Sequence, residues 1–325
     1  MFFKSVLKSG LIYPYSGQKY NAMKNNKLKE CYQEYRQWSR WYYHLTFDSI
    51  EDGQLFHNDD EFADGMNGVA VGQFVYGLSI IAFSLMVNHC HVLLCGTGED
   101  IVDFFIYMKR RINDKLREDG YPSLPRNYGF HLAKIEDEKQ LANTVSYIAR
   151  NPMKARPDIM PSGYLWGSSF LIFSDIHKIV NKIKLGEISD RKKKQILRTK
   201  CRLPDDYVFN ENMGYILPES YVLTSKAEKV LGTSRRFSSD LIRNIDAFIK
   251  IDEGIGERAV LSEDDVNELI YQNVKEMFNV NSVNTLNIKE KCRLAVQLKK
   301  RYRLDSKRIA RKLKLDLKIV EDLFE

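Results

Sequence analysis

The first half of the chain alternates short apolar runs with amphipathic segments. Aromatic and β-branched residues dominate Trp41–Phe47, which predicts a strand. Two further apolar runs, Leu78–Met86 and His89–Cys95, are separated only by Val87–Asn88, which predicts a hairpin. Tyr128–Ile135 has the same composition and predicts a fourth strand.

Three helices are predicted between and after these strands. Asn58 is a good N-cap for an amphipathic helix that extends to about Tyr76. Glu99–Glu118 begins with acids, ends with basic residues and repeats its apolar positions at helical spacing. Asp137–Asn151 is the third helix, and Pro152 is expected to end it because proline cannot donate a backbone hydrogen bond.

This order of elements predicts an α+β fold, in which an antiparallel sheet has helices packed on one face. The third helix would then cross the open face of the sheet. From about Asn212 the chain is mainly helical. Short helices with tight turns at the end of the chain resemble a helix-turn-helix, and Ser306 and Asp316 are the expected N-caps of the last two. The last three predicted helices are Ile288–Arg303, Ser306–Leu315 and Leu317–Phe324.

Composition allows a substantial core and two domains, since the chain has 325 residues of which 44% are hydrophobic. Its five cysteines show no CxxC spacing, which favours a reducing cytoplasm over a disulfide framework. The N-terminus lacks a signal-peptide pattern, and no apolar run is long enough to span a bilayer. We therefore expect a cytoplasmic protein without a membrane partner.

Positive charge is concentrated near the C-terminus. The formal net charge is +7, yet Lys289–Lys314 alone holds twelve Lys or Arg against two acids. Such a segment is typical of a nucleic-acid-binding surface, although a solubilising helix face explains a charge run equally well. Asp190–Arg202 is also basic and is interpreted as a linker or as a helix lying on phosphate.

The segment Met86–Leu94, MVNHCHVLL, carries the first candidate chemistry. Alternate residues of a strand face the same side, so His89 and His91 project together while Cys90 points into the opposite face. This pair is half of a divalent-metal site. A lone His-x-His in a strand is more often structural than a metal ligand.

The second candidate is Thr144–Lys154, TVSYIARNPMK, on the third predicted helix. Tyr147 and Asn151 are four residues apart and lie one above the other on a helix face, so a phenol and a carboxamide approach the same point. A tyrosine on an apolar helix face is by itself more often part of the core than a nucleophile.

Together and in this order, the two segments resemble the HUH-type single-tyrosine transposases, and in particular the REP-associated tyrosine transposases. The family pattern is roughly MPNHxHLL followed by YIxxNPxKA, and this chain has MVNHCHVLL and YIARNPMKA. YGFHLAKI before the tyrosine and GYLWGSS after it are also similar to the family. The resemblance covers roughly Arg40–Ser169. Val87 departs from it, since the family usually has proline at that turn.

The resemblance implies a ferredoxin-like or RRM-like sheet and a bacterial, nucleoid-associated enzyme. Tyr147 would attack single-stranded DNA, form a 5′-phosphotyrosine intermediate and release a 3′ hydroxyl. His89, His91 and Asn151 would hold Mg²⁺ or Mn²⁺, leaving coordination positions for water and the scissile phosphate. The substrate would be a hairpin such as a repetitive extragenic palindrome. The family includes homodimers and proteins that act alone.

Other side chains have weaker claims. His44 could approach the site from the first strand, and His131 is assigned to packing or DNA contact. Solvated charge is an equally good account of each basic candidate. The candidate DNA contacts are Lys109, Arg110, Arg111, Arg150, Lys154, Lys307, Arg308 and Arg311.

The predicted organisation has four parts. These are an N-terminal basic and aromatic extension (1–39), a catalytic domain (40–180), a basic linker (181–211) and a helical DNA-binding region (212–325) with its helix-turn-helix-like end at 288–325. Lys27–Tyr43 interleaves basic and aromatic residues, which suits stacking on bases, but a helix packed on the catalytic domain is the favoured interpretation. Two other functions stay open, a non-cleaving protein that binds hairpin DNA or RNA and a regulator in which the histidines hold structural zinc.

Overall fold

The computed structural model describes residues 32–50, 53–156, 158–175, 181–255 and 261–324. The strands are β1 (Trp41–Phe47), β2 (Ser79–Leu85), β3 (Cys90–Gly96), β4 (Phe130–Lys134), β5 (Lys182–Lys184), β6 (Val208–Asn210) and β7 (Tyr215–Ile216). The first helices are α1 (Asp59–Val75), α2 (Gly98–Glu118), α3 (Glu138–Ala155) and α4 (Asp190–Leu197). The later helices are α5 (Thr224–Leu231), α6 (Ser234–Arg243), α7 (Ile245–Gly254), α8 (Glu263–Phe278), α9 (Ile288–Tyr302), α10 (Ser306–Leu313) and α11 (Leu317–Asp322).

The first four strands form one antiparallel sheet in the order β2-β3-β1-β4. They are joined as β1-α1-β2-β3-α2-β4, so the hairpin lies next to the first strand and β4 returns to its other side. A second sheet contains β5, β6 and β7. The prediction of an α+β fold with an antiparallel sheet is confirmed.

Each face of the four-stranded sheet has its own core. Leu45 and Val92 point to one face, where they pack with apolar residues of α1 and α2. Ala82 and Leu93 point to the other, where they pack with α3. Helices α5, α6 and α7 join that second core, with Phe248 of α7 among its buried residues. The sequence predicted that this face would be open apart from the helix with Tyr147, and that prediction is wrong.

Local capping rules placed several helix starts correctly. The Asn58 side chain accepts from the backbone N–H of Glu61 at the start of α1. Asp137 caps α3 in the same way. The prediction that α3 ends before Pro152 is wrong, because the helix continues to Ala155 with Pro152 inside it. An internal proline removes one backbone hydrogen bond and crowds the carbonyl four residues earlier, and the packing of this buried turn outweighs both effects.

Residues 181–211, expected to form a linker, contain β5, α4 and β6. Leu197 at the end of α4 and Phe209 on β6 are buried in the core shared by α1 and α2. Arg111 of α2 ties this segment down by donating to the carbonyls of Ile196 and Leu197. The predicted domain boundaries are not tested by these contacts and stay predictions.

The C-terminal helices have a third core, formed by apolar residues from α7 to α11. The last helices turn tightly, because Arg303 and Lys314 adopt left-handed backbone conformations at the ends of α9 and α10. Asp316 caps α11 as predicted. Ser306 does not cap α10, because Asp305 takes that role and accepts from the N–H of Arg308. The helix-turn-helix interpretation stays a prediction.

The predicted N-terminal extension lies mostly outside the described residues. Within residues 32–39, the ring of Tyr32 stacks on Phe130 with centroids 5.0 Å apart, and that of Tyr35 lies 5.4 Å from the same ring. Trp38 stacks on Tyr43 of β1. These aromatic residues therefore pack against β1 and β4 of the four-stranded sheet, as the favoured interpretation of this segment expected. Of the helices within the described ranges, none combines the length and apolar character needed to cross a bilayer.

Candidate active site

A row of polar side chains crosses the sheet on the face that packs against α3. Thr46 of β1 is in register with His91 of β3 and with His131 of β4. Ser84 of β2 is in register with His91 on the other side. Because paired residues of antiparallel strands project to the same side, these four side chains form one line. Ser84, Thr46 and His91 are buried, whereas His131 is half-buried.

His91 is held by two neighbours on β1. Its Nδ1 lies 3.2 Å from Nε2 of His44 and 3.2 Å from the hydroxyl of Thr46. These contacts fix the orientation of the His91 ring and engage its Nδ1. Partners of this kind orient histidine ligands in metal sites. His44, which the sequence suggested only as a side chain that could approach, is therefore in direct contact with the site.

His89 immediately precedes β3 and is oriented by its own neighbour. Its Nδ1 lies 2.8 Å from the Asn88 side-chain oxygen, so Nδ1 carries the proton and Nε2 the lone pair. The His89 and His91 rings are 4.8 Å apart at their centroids, with their planes at 78°. The Nε2 atoms of both histidines are buried without a hydrogen-bond partner in the part of the chain that the structure describes. Two such lone pairs suit a bound cation.

Burial keeps the three histidines neutral. It lowers the pKa of His44 to about 3, with a smaller effect from nearby His131. It lowers the pKa of His89 to about 4, with a smaller effect from Lys154. The pKa of His91 is well below its usual value, mainly through burial and then through His89 and His44. Neutral imidazoles are the form that binds metal.

The helix α3 brings Tyr147 onto this row. Its ring packs edge to face against His91 and His44, with centroids at 5.3 and 5.8 Å. Tyr147 is fully buried, and its hydroxyl donates to Oδ1 of Asp252 on α7 at 2.5 Å. The ammonium of Lys154 lies 4.8 Å from the centre of the Tyr147 ring. The tyrosine and the histidines, predicted from separate segments, are therefore in contact.

Asn151 lies one turn beyond Tyr147, as its spacing predicted. Its side-chain nitrogen donates to the backbone carbonyl of Tyr147 at 3.2 Å, and the residue is buried. This bond orients the amide, whose oxygen is the atom that a metal would use. Within the described ranges, no cluster of three or more His, Cys, Asp or Glu side chains could hold a metal ion. The role of Asn151 as a third ligand beside the two imidazoles stays a prediction.

The basic candidates divide into internal and surface residues. Arg111 is 5% exposed, and its five N–H groups are taken by Asp64, Tyr107 and the carbonyls of Ile196 and Leu197. Arg150 is buried in an ion pair with Asp265 of α8. These contacts tie both arginines into the fold, and Arg111 has no free donor left for DNA.

The other basic candidates have more access to solvent. Lys109 is half-buried and donates to the Tyr128 carbonyl, and Lys154 pairs with Asp252. Arg308 and Arg311 share Glu263 as a partner, at 2.9 Å in both cases. Arg110 and Lys307 are exposed.

Sequence reasoning missed Asp252 and Thr46. Thr46 could have been found, because it lies two residues after His44 and so faces the same side of β1. No local signal could reveal Asp252, since it lies 105 positions after Tyr147 in the chain. Cys90 is buried in the core on the opposite face of the sheet, as the alternation predicted.

We expect the buried histidines to make stability depend on pH. His44 and His89 have pKa values of about 3 and about 4 in the folded protein, against 6.5 normally. The unfolded chain thus binds protons in this window that the folded protein does not, so stability is lost as the pH falls from about 6.5 towards 4. In urea unfolding without metal, the free energy of unfolding of wild type minus that of His44→Gln should fall by up to about 1.4 kcal/mol for each pH unit that the pH is lowered through this window.

His57→Gln is the control for this measurement, because His57 lies outside the row and pairs with Glu61. A difference between wild type and His44→Gln that stays constant with pH would contradict the neutral buried state of His44.

No protein-family model matches the chain, and no curated protein matches it. One solved structure is similar, that of a REP-associated tyrosine transposase bound to a REP hairpin. The similarity covers 41% of this chain and 79% of that one, with 16% sequence identity and a TM-score of 0.34. Similarity at this level does not by itself establish a fold or a function for the chain.

Proposed function

We propose that this protein is a metal-dependent, single-strand-specific DNA endonuclease and strand transferase that acts through Tyr147. One observation carries the proposal. The ring of Tyr147 lies 5.3 Å from that of His91, whose Nε2 is buried without a partner within the described residues. The tyrosine proposed as nucleophile and the two imidazole nitrogens proposed as ligands thus lie on the same face of the sheet.

The donor set supports a divalent cation at His89, His91 and Asn151. Two neutral imidazoles and one amide oxygen leave coordination positions for water and a phosphate oxygen. When bound, the cation would offset the negative charge that develops on the phosphate. The protein would contribute the orientation of the ligands, through Asn88 and His44, and the exclusion of bulk water.

The expected reaction is transesterification at phosphorus. The Tyr147 oxygen would bond to the phosphorus, and the bond to the 3′ oxygen would break, leaving a 5′-phosphotyrosine and a 3′ hydroxyl. Strand rejoining would reverse these steps without ATP. A hairpin substrate is proposed from the resemblance of the two sequence motifs to those of REP-associated tyrosine transposases. The solvated basic residues of α9 and α10 are proposed to contact the DNA backbone.

The test uses a pool of imperfect DNA hairpins with randomised single-stranded flanks, labelled at the 3′ end. With Mg²⁺ or Mn²⁺, wild type is expected to form a labelled covalent adduct that survives denaturation, and Tyr147→Phe is expected to form none. Tyr121→Phe, which changes a tyrosine outside the site, is the matched control and should behave as wild type. No wild-type adduct, or an adduct with Tyr147→Phe, would refute the proposal.

A second candidate is a protein that binds hairpins without cutting them. The observation in its favour is the complete burial of Tyr147 with its hydroxyl held by Asp252. Such a protein would retain hairpin binding in the same pool, would form no adduct, and would bind equally well after His89→Ala.

A further inference from the structure

The hydroxyl of Tyr147 has a carboxylate partner from a distant part of the chain. Oδ1 of Asp252 lies 2.5 Å from the phenolic oxygen and accepts its proton in a hydrogen bond. Asp252 is 4% exposed and sits on α7, in the core that covers the α3 face of the sheet. Short bonds of this kind between a hydroxyl and a carboxylate are the strong, charge-assisted ones.

Lys154 makes the pair electrically balanced. Its Nζ lies 3.4 Å from both carboxylate oxygens of Asp252 and 4.8 Å from the centre of the Tyr147 ring. If the proton moves from Tyr147 to Asp252, the negative charge moves from the carboxylate to the phenolate while the ammonium stays beside both. The net charge of the three groups is unchanged, so the transfer avoids the cost of creating a new buried charge.

Nearby histidines are less suited to receive this proton. Nε2 of His44 is engaged by Nδ1 of His91 at 3.2 Å. His91 meets the tyrosine through an edge-to-face ring contact with centroids 5.3 Å apart. Asp252, by contrast, already holds the hydroxyl proton in a hydrogen bond, which is the geometry that general base catalysis requires.

We propose that Asp252 is the catalytic proton acceptor for Tyr147, an inference that rests on the proposed function. The proton passes from the phenolic oxygen to Oδ1 of Asp252 as that oxygen bonds to phosphorus. The bond between phosphorus and the 3′ oxygen breaks, and the 3′ oxygen leaves with the electron pair and is protonated by water. In strand rejoining the tyrosine oxygen leaves phosphorus and recovers its proton from Asp252.

The geometry also restricts how the phosphate approaches. Asp252 occupies one side of the phenolic oxygen, so the phosphorus has to approach through the remaining lone pair. A carboxylate that served only to lock the tyrosine away would have the opposite effect on the rate, because its removal would release the nucleophile. The sign of the change therefore decides between a proton acceptor and a lock.

The experiment is single-turnover adduct formation by the full chain with the 3′-labelled hairpin pool and Mn²⁺. Asp252→Asn keeps the shape of the side chain but cannot accept a proton, and it should slow the reaction by about 100-fold or more. Glu253→Gln removes the adjacent, exposed carboxylate of α7 and should leave the rate unchanged. An Asp252→Asn rate equal to or above that of wild type would overturn the inference.

A second measurement separates proton transfer from loss of structure. Placing 3,5-difluorotyrosine at position 147 makes the phenol more acidic, and in Asp252→Asn it should recover most of the lost rate. No recovery, with hairpin binding intact, would contradict the inference. If Asp252→Asn does not fold, wild type is compared in H₂O and D₂O, where equal rates would contradict a proton moving in this step. A wild type that forms no adduct refutes the proposed function itself, and the inference with it.

Discussion

Replacing His91 with alanine is expected to remove Mn²⁺ binding at the site and DNA cleavage with it. His91 is fully buried, and its Nε2 is one of the two imidazole nitrogens proposed as ligands, both of which lack a hydrogen-bond partner within the described part of the chain. Loss of partners that merely orient a metal ligand costs about 10–100-fold in affinity or activity, so loss of the ligand itself should cost more than about 100-fold. Calorimetric titration with Mn²⁺ measures the binding without DNA.

His131→Ala is the matched control for this prediction. His131 belongs to the same polar row, on β4, but is not among the predicted ligands. It should bind Mn²⁺ within a few-fold of wild type. If His91→Ala binds the ion as well as His131→Ala does, the cation is held elsewhere and the proposed ligand set is wrong. Urea unfolding of both variants shows whether either has lost its fold.

Replacing Arg111 with alanine is expected to cost about 3–5 kcal/mol of folding free energy, as for other broken buried ion pairs. Asp64 would lose the two short bonds to the guanidinium, at 2.7 and 2.9 Å, and would keep the more distant Arg198, at 3.7 Å. The carbonyls of Ile196 and Leu197 would lose their donor as well, which would loosen the end of α4. Urea unfolding measures the loss.

Arg110→Ala is the control, because Arg110 is the neighbouring residue on α2 and is exposed. It should change the free energy of unfolding by no more than about 0.5 kcal/mol. A comparable loss in both variants would contradict the structural role of Arg111.

Local sequence patterns predicted most of the strands and helices of the four-stranded sheet region. The aromatic and β-branched segment Trp41–Phe47 and the two apolar runs around Val87–Asn88 correspond to β1, β2 and β3 within one or two residues. Side-chain oxygens of Asn58 and Asp316 predicted the starts of α1 and α11 because an N-cap depends only on residues within one turn. The predictions from Pro152 and Ser306 were wrong because they too used only the residues within one turn. Tertiary packing lets α3 continue past Pro152, and Asp305 rather than Ser306 is the N-cap of α10.

The candidate site was partly readable. Period-two alternation placed His89 and His91 on one side, and helical spacing placed Asn151 one turn beyond Tyr147. Neither pattern indicates how far apart the two segments lie in the folded protein. The family resemblance related them, and the structure then brings the Tyr147 ring against His91. The roles of these residues in binding metal and cutting DNA stay predictions until they are measured.

The sequence by itself determined the elements, the side of the sheet that each histidine faces and the pairing of Tyr147 with Asn151, because these follow from the fixed geometry of strands and helices. The tertiary structure alone decided the rest. The register between β1 and β3 brings His44 and Thr46 into contact with His91. Packing of the later helices covers this face of the sheet and brings Asp252 to the Tyr147 hydroxyl. Such contacts join residues far apart in the chain, and the energy of packing many side chains together selects them.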